Sequence, residues 1–255
     1  MQTLEHLIVV CCHAIYLGGP SKGIDEREWL IESFQRGETP TFTEHVKAGL
    51  RILAGDEGAL LVFSGGATKR PATELTEGDS YLNLARDNAF FGYAPRIDVS
   101  RVIAETHATD SYQNVLFSML HFRLHTGKYP ERVTVVTHEF KRQRFMKFHF
   151  PAVGLDGPDK ADVVGINPPE EVTPLKELVG GEALKGLGLW KNDAYGVGAD
   201  LRVKRVKRGW VDGSERGLWV GVGLEPVVED LVCWDGGNGE NEWFPRIMEL
   251  PWCKA

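Results

Sequence analysis

Neither G-x-G-x-x-G nor G-x-x-x-x-G-K-[ST] occurs anywhere in the 255 residues, which disfavours standard dinucleotide and P-loop binding. Long apolar runs are also missing. The run near the amino terminus, Leu7 to Cys12, is too short for a membrane span or a secretory signal, and no basic segment precedes it. The expectation is a cytoplasmic protein without a membrane span. Positive charge is in deficit: the formal net charge of -7 would repel a phosphate backbone and disfavours a general nucleic-acid binder. Cysteine is scarce, and its four positions lack the spacing of a zinc site or a disulfide framework. Cys11 and Cys12 are adjacent in an apolar run, so on a strand they would point to opposite faces as small buried residues. No internal repeat or low-complexity tract is present.

With 42% hydrophobic and 25% charged residues, the chain can bury a substantial core. Strand-like runs recur at Leu7–Cys12, Leu60–Phe63, Val102–Ala104, Val133–Val136 and Val163–Ile166. Helical patterns fill the intervals. Val46, Gly49, Leu50 and Leu53 share one face; Leu75, Gly78, Leu82, Ala85 and Ala89 share another; Val115, Ser118, Met119 and Phe122 share a third. Near-continuous apolar strands alternating with amphipathic helices predict a Rossmann-like, doubly wound α/β fold with a mostly parallel sheet covered on both faces. That pattern weakens after Pro168-Pro169. Residues 1–169 are therefore expected to form the core and residues 170–255 a loop-rich extension packed on it, with Pro226 to Trp234 as one short helix. The alternation of basic residues with Leu201, Val203 and Val206 suits either a partner surface or an exposed edge strand protected by charge.

In such a fold the strand-to-helix turns lie along one sheet edge, where ligands usually bind. The polar stretch Glu105 to Asn114 occupies one of these turns. Asp110 and Gln113 have N-cap and N3 spacing; Glu105, Thr109, Ser111 and Asn114 are not explained by capping and become ligand-binding candidates. Ser64-Gly65-Gly66 follows the second strand, where glycines permit close approach and exposed N–H groups would suit phosphate or carboxylate. Glu74 and Glu77 open the next helix as an i, i+3 pair. His13, His107 and His138 each follow a strand, and together they favour function over isolated structural roles. Lys141, Arg142 and Arg144 begin a helix, a placement that opposes the helix dipole unless an anion or solvent compensates.

Ser64-Gly65-Gly66, the acidic pair Glu74/Glu77, the stretch Glu105 to Asn114, and Val136-Thr137 through Arg144, in this order, resemble the YdcF/SanA-like family, a domain of unknown function numbered 218. The resemblance covers roughly residues 5–168 and is nearest to a fungal branch, with Cys12-His13-Ala14 where bacterial members commonly carry glycines. It implies a Rossmann-like fold and admits S-adenosylmethionine as cofactor, while Glu77 with His13, His107 and His138 admits a divalent metal. The residue pattern itself leads to an enzyme acting on a small anionic metabolite by hydrolysis or group transfer. Lys141, Arg142 and Arg144 would hold the anion, the Ser64-Gly65-Gly66 backbone would donate to it, and His13, Glu77 and His138 would move protons. A non-catalytic binder of S-adenosylmethionine or a nucleotide is the alternative.

Overall fold

The computed structural model describes residues 3–211, 213–239 and 241–254. Five strands, β1 (His6–Cys11), β4 (Ala59–Ser64), β5 (Val102–Glu105), β6 (Arg132–Thr137) and β7 (Ala161–Gly165), form one sheet in the order β5-β4-β1-β6-β7. All neighbouring pairs are parallel. The chain runs outward from β1 through β4 to β5, then crosses back to β6 beside β1. This is a Rossmann-like α/β fold, and its topological switch lies between β1 and β6.

Alternate residues of β1 feed two cores. Leu7, Val9 and Cys11 join one cluster, whereas Ile8, Val10 and Cys12 join the other. The cysteines therefore face opposite sides, as strand periodicity requires. The Ile8 side is covered by α1 (Thr39–Ala54) and α2 (Glu77–Asp87). On the Leu7 side lie α3 (Ser111–Thr126) and a distorted helix made of α4 (Arg142–Arg144), a π-helical turn (Phe145–His149) and α5 (Phe150–Ala152). Proline opens α1, while Thr76 and Asp110 cap α2 and α3 by accepting from Asp79 N and Gln113 N. Between β1 and α1 the chain also makes a small antiparallel ribbon, β2 (Ile15–Tyr16) with β3 (Trp29–Leu30), which no hydrophobic alternation announces.

The carboxyl-terminal segment is more helical than its composition suggests. It holds α6 (Leu175–Lys185), α7 (Leu187–Trp190), α8 (Ala199–Lys207), α9 (Ser214–Trp219) and α10 (Pro226–Val232). Gly180 and Gly181, glycines of the segment expected to be loop-rich, lie inside α6, where nothing approaches their Cβ positions. The edge strand weighed for residues 201–206 is α8 instead. Leu201 and Arg205, one helical turn apart, face inward, and Val203 and Val206 remain exposed. Trp190, Trp219, Trp252, Val228 and Leu231 belong to the same core cluster as Leu7 and Val9.

Candidate functional site

The turns after β1, β4, β5 and β6 meet at the carboxyl edge of the sheet. Their closeness depends on glycine. A Cβ on Gly65 would sit 2.8 Å from Glu77 Cβ, and one on Gly78 would sit 2.4 Å from the Glu105 carbonyl oxygen. These positions let the first turn of α2 press against the ends of β4 and β5. Gly65 N–H donates to Glu105 O and Gly66 N–H to Ala108 O. The expectation that this loop offers free backbone donors is thus corrected: Ser64-Gly65-Gly66 spends its glycine N–H groups on the fold, and its glycines act through close packing.

Two buried carboxylates lie on either side of this loop. Glu105 is fully buried; its Oε2 accepts from Ser64 Oγ (2.6 Å), and its Oε1 accepts from His107 N (2.5 Å) and Ala108 N (2.9 Å). Burial raises its pKa to about 7 despite these three donors. Asn114 Oδ1 is 3.1 Å from Ser64 Oγ, completing a buried polar knot. Glu77 is buried as well and accepts from Thr68 Oγ1. Burial raises its pKa, while this hydrogen bond and the charges of Arg208, Lys69 and Lys141 oppose the rise.

On the other side of β1, three histidines pack together. The ring centroids of His13 and His138 are 4.4 Å apart, those of His45 and His138 are 4.8 Å apart, and those of His13 and His45 are 5.5 Å apart. Burial pulls all three pKa values down, that of His45 to about 4, so the rings are neutral at pH 7. His45 is anchored by its Nε2 to Ile166 O (2.9 Å). His138 is buried, and neither ring nitrogen has a hydrogen-bond partner. Lys141 Nζ lies 3.4 Å from His13 Nδ1, and burial followed by the nearby Arg144 charge lowers its pKa to about 8. Among the described residues neither Lys141 nor Arg208 has a carboxylate within ion-pair range, whereas Lys69 pairs with Glu32.

Several sequence candidates have other occupations. Glu74 precedes α2, is exposed and pairs with Arg70 (2.7 Å), so it shares no helical face with Glu77. Arg142 is held by Glu139 (2.7 and 2.9 Å) and reaches Asp162 (3.3 Å). Arg144 forms a two-pronged pair with Glu182 of α6 and donates to Ser111 Oγ (3.1 Å), which is 2.7 Å from His149 Nε2. Arg144 therefore stitches the extension to the core, and Ser111 helps to hold its guanidinium. Thr109 donates through both its N–H and Oγ1 to Gln113 Oε1 (2.8 Å each), so it belongs to the cap after all. His107 does not join His13 and His138; its ring stacks with His121 at 6.4 Å.

The geometry gathers His13, Ser64, Glu77, Glu105, Asn114, His138 and Lys141 and adds His45, Thr68 and Arg208. Arg208 comes from the end of α8, where its Nη1 donates to Thr109 O (2.9 Å). Thr68 was detectable in principle, three residues after Gly65 in the same loop. Arg208 carried no local signal, because only the tertiary fold brings residue 208 to residue 109. Among the described residues, Glu105, His107 and His121 alone bring three metal-type ligand atoms within 4.8 Å of one another.

Over 99% of its length the chain is similar to an uncharacterized protein of Saccharomyces cerevisiae, YOR238W; the two are 24% identical, and the match spans 98% of the yeast protein. No family model matches the chain, and no solved structure matches it.

Proposed function

We propose that the carboxyl edge of the sheet is the active site of an enzyme of the cytoplasm that acts on a small phosphorylated metabolite, by hydrolysis or group transfer. The observation that carries this reading is a grouping of charges. Two cations without carboxylate partners among the described residues, Lys141 and Arg208, lie with a buried acid, Glu77, and a neutral histidine, His138, whose ring nitrogens have no partner. Lys141 and Arg208 would hold the phosphoryl oxygens. Glu77, with its raised pKa, would donate or accept the proton at the leaving or attacking oxygen, and His138 or His13 would serve the opposite role. A phosphate dianion would also favour the charged form of Lys141, which now sits among cations.

Kinship with YdcF/SanA-like proteins is part of the proposal, supported by four motifs in family order around one sheet edge. The function is tested by thermal denaturation with phosphate monoesters, nucleotides, sugar phosphates and S-adenosylmethionine, each with and without divalent metal, because a ligand that binds only the native state raises the melting temperature. Compounds that stabilise are then followed for turnover. A phosphorylated compound that both stabilises and is converted supports the enzyme. Stabilisation by S-adenosylmethionine or a nucleotide that is recovered unchanged would replace it with a binding protein.

A further inference from the structure

We infer that Glu105, His107 and His121 form a binding site for a single divalent transition-metal ion of the zinc type. The inference rests on this cluster and is independent of the proposed phosphorylated substrate. One ligand atom from each residue lies within 4.8 Å of the other two, and Glu105 Oε1 to His107 Nδ1 is 3.8 Å. Ligands about 2.0–2.1 Å from a tetrahedral zinc stand about 3.3 Å apart, so closing the site needs movements on the order of 1 Å. His107 is on a loop and half-exposed, and can supply them.

Two features favour an ion over an accidental approach. His121 Nε2 is buried without a hydrogen-bond partner, an arrangement that costs free energy unless something binds there. The carboxylate is oriented in advance by His107 N, Ala108 N and Ser64 Oγ, as outer-shell donors orient metal-bound carboxylates. Trp219 covers the His121 ring at 5.5 Å from the extension and adds an apolar wall. Two histidines and one carboxylate suit zinc, cobalt or iron better than magnesium or calcium, and three protein ligands leave a coordination position for water or substrate.

The test uses the full chain, stripped with a chelator and titrated with Co²⁺ and Zn²⁺ while absorption, heat and melting temperature are recorded. One equivalent should bind, with a low-coordinate Co²⁺ spectrum and a Zn²⁺-dependent rise in melting temperature. His107→Ala and His121→Phe should each weaken binding by at least about tenfold. The apo forms of both variants should melt near the wild type, because His107 is half-exposed and the second substitution keeps an aromatic ring packed on Trp219. A His138→Ala variant is titrated in parallel to report on the other histidine cluster. Unchanged binding in both His107→Ala and His121→Phe, loss in His138→Ala instead, or no stoichiometric binding by the wild type would each overturn the site.

Discussion

Glu105 shows how a single side chain can be satisfied and still costly. It has three hydrogen-bond donors, yet burial holds its pKa near 7. Its pKa in the folded protein lies above the unfolded value near 4.5, so the folded state keeps a proton that the unfolded chain releases. The resulting stability is present below about pH 4.5 and is lost as pH rises towards about 7, by roughly 3 kcal/mol in all. Glu105→Gln removes this titration while preserving the acceptor for the two N–H groups. Between about pH 4.5 and 7 the variant should therefore gain stability relative to the wild type, measured on chelator-treated protein by urea denaturation at each pH. A difference between the two proteins that does not change with pH would refute the assignment. The buried histidines work in the opposite direction. The folded pKa of His45 is about 4, below its ordinary 6.5, so its contribution is intact above about pH 6.5 and is lost as pH falls from there towards about 4.

Much of the site was legible at the residue scale because strand ends and helix starts are local properties. Ser64, Glu77, Glu105, Asn114 and His138 sit where apolar runs give way to polar residues, and the fold gathers them. Partner choice is not local. Arg142 and Arg144 carry the same charge two positions apart; one faces Glu139 and Asp162 near the surface, and the other enters a buried pair with Glu182. No spacing rule distinguishes them, because Glu182 is 38 residues away in sequence.

Among elements, α6 and α8 illustrate where pattern fails. Glycine content argued against α6, and a period-two reading argued against α8. Both helices are fixed from outside, by Arg144–Glu182 and by Arg205–Asp110, in which all four side chains are largely buried. Removing one partner strands a buried charge, and Arg205→Met should cost about 3–5 kcal/mol. Arg142, whose side chain is 37% exposed, should lose no more than about 1 kcal/mol when changed to Met, since solvent screens its pairs. Chemical denaturation of the two variants side by side checks the contrast; equal losses would mean that the extension is not held through Asp110. The glycine packing gives a separate test. Gly78→Ala places a methyl group against the carbonyls of Phe63 and Glu105, and either the start of α2 shifts or the variant fails to accumulate as folded protein. Wild-type stability in that variant would contradict the packing described at the strand ends.

For the whole molecule, the extension and the sheet share a core. Trp190, Trp219 and Trp252 are buried in the cluster that contains Leu7, Val9 and Phe122, and Arg208 reaches the carboxyl edge from α8. Neither part can bury its apolar surface alone. Residues 170–255 expressed separately should show no cooperative thermal transition, and residues 1–169 should aggregate or bind a hydrophobic dye. Cooperative melting of either fragment would contradict the shared core. The same architecture sets the electrostatics: a chain of net charge -7 places Lys141 and Arg208 around a buried acid at the one sheet edge where its turns converge.

The most direct test of that account is calorimetric titration of inorganic phosphate into the wild type and into Lys141→Met and Arg208→Met, with their melting temperatures recorded alongside. Charge-assisted contacts contribute about 1.5–3 kcal/mol each, so each variant should bind phosphate roughly 10- to 150-fold more weakly while remaining folded. Phosphate affinity unchanged in both folded variants, or no measurable binding by the wild type, would contradict the assignment of the carboxyl edge to a phosphorylated ligand.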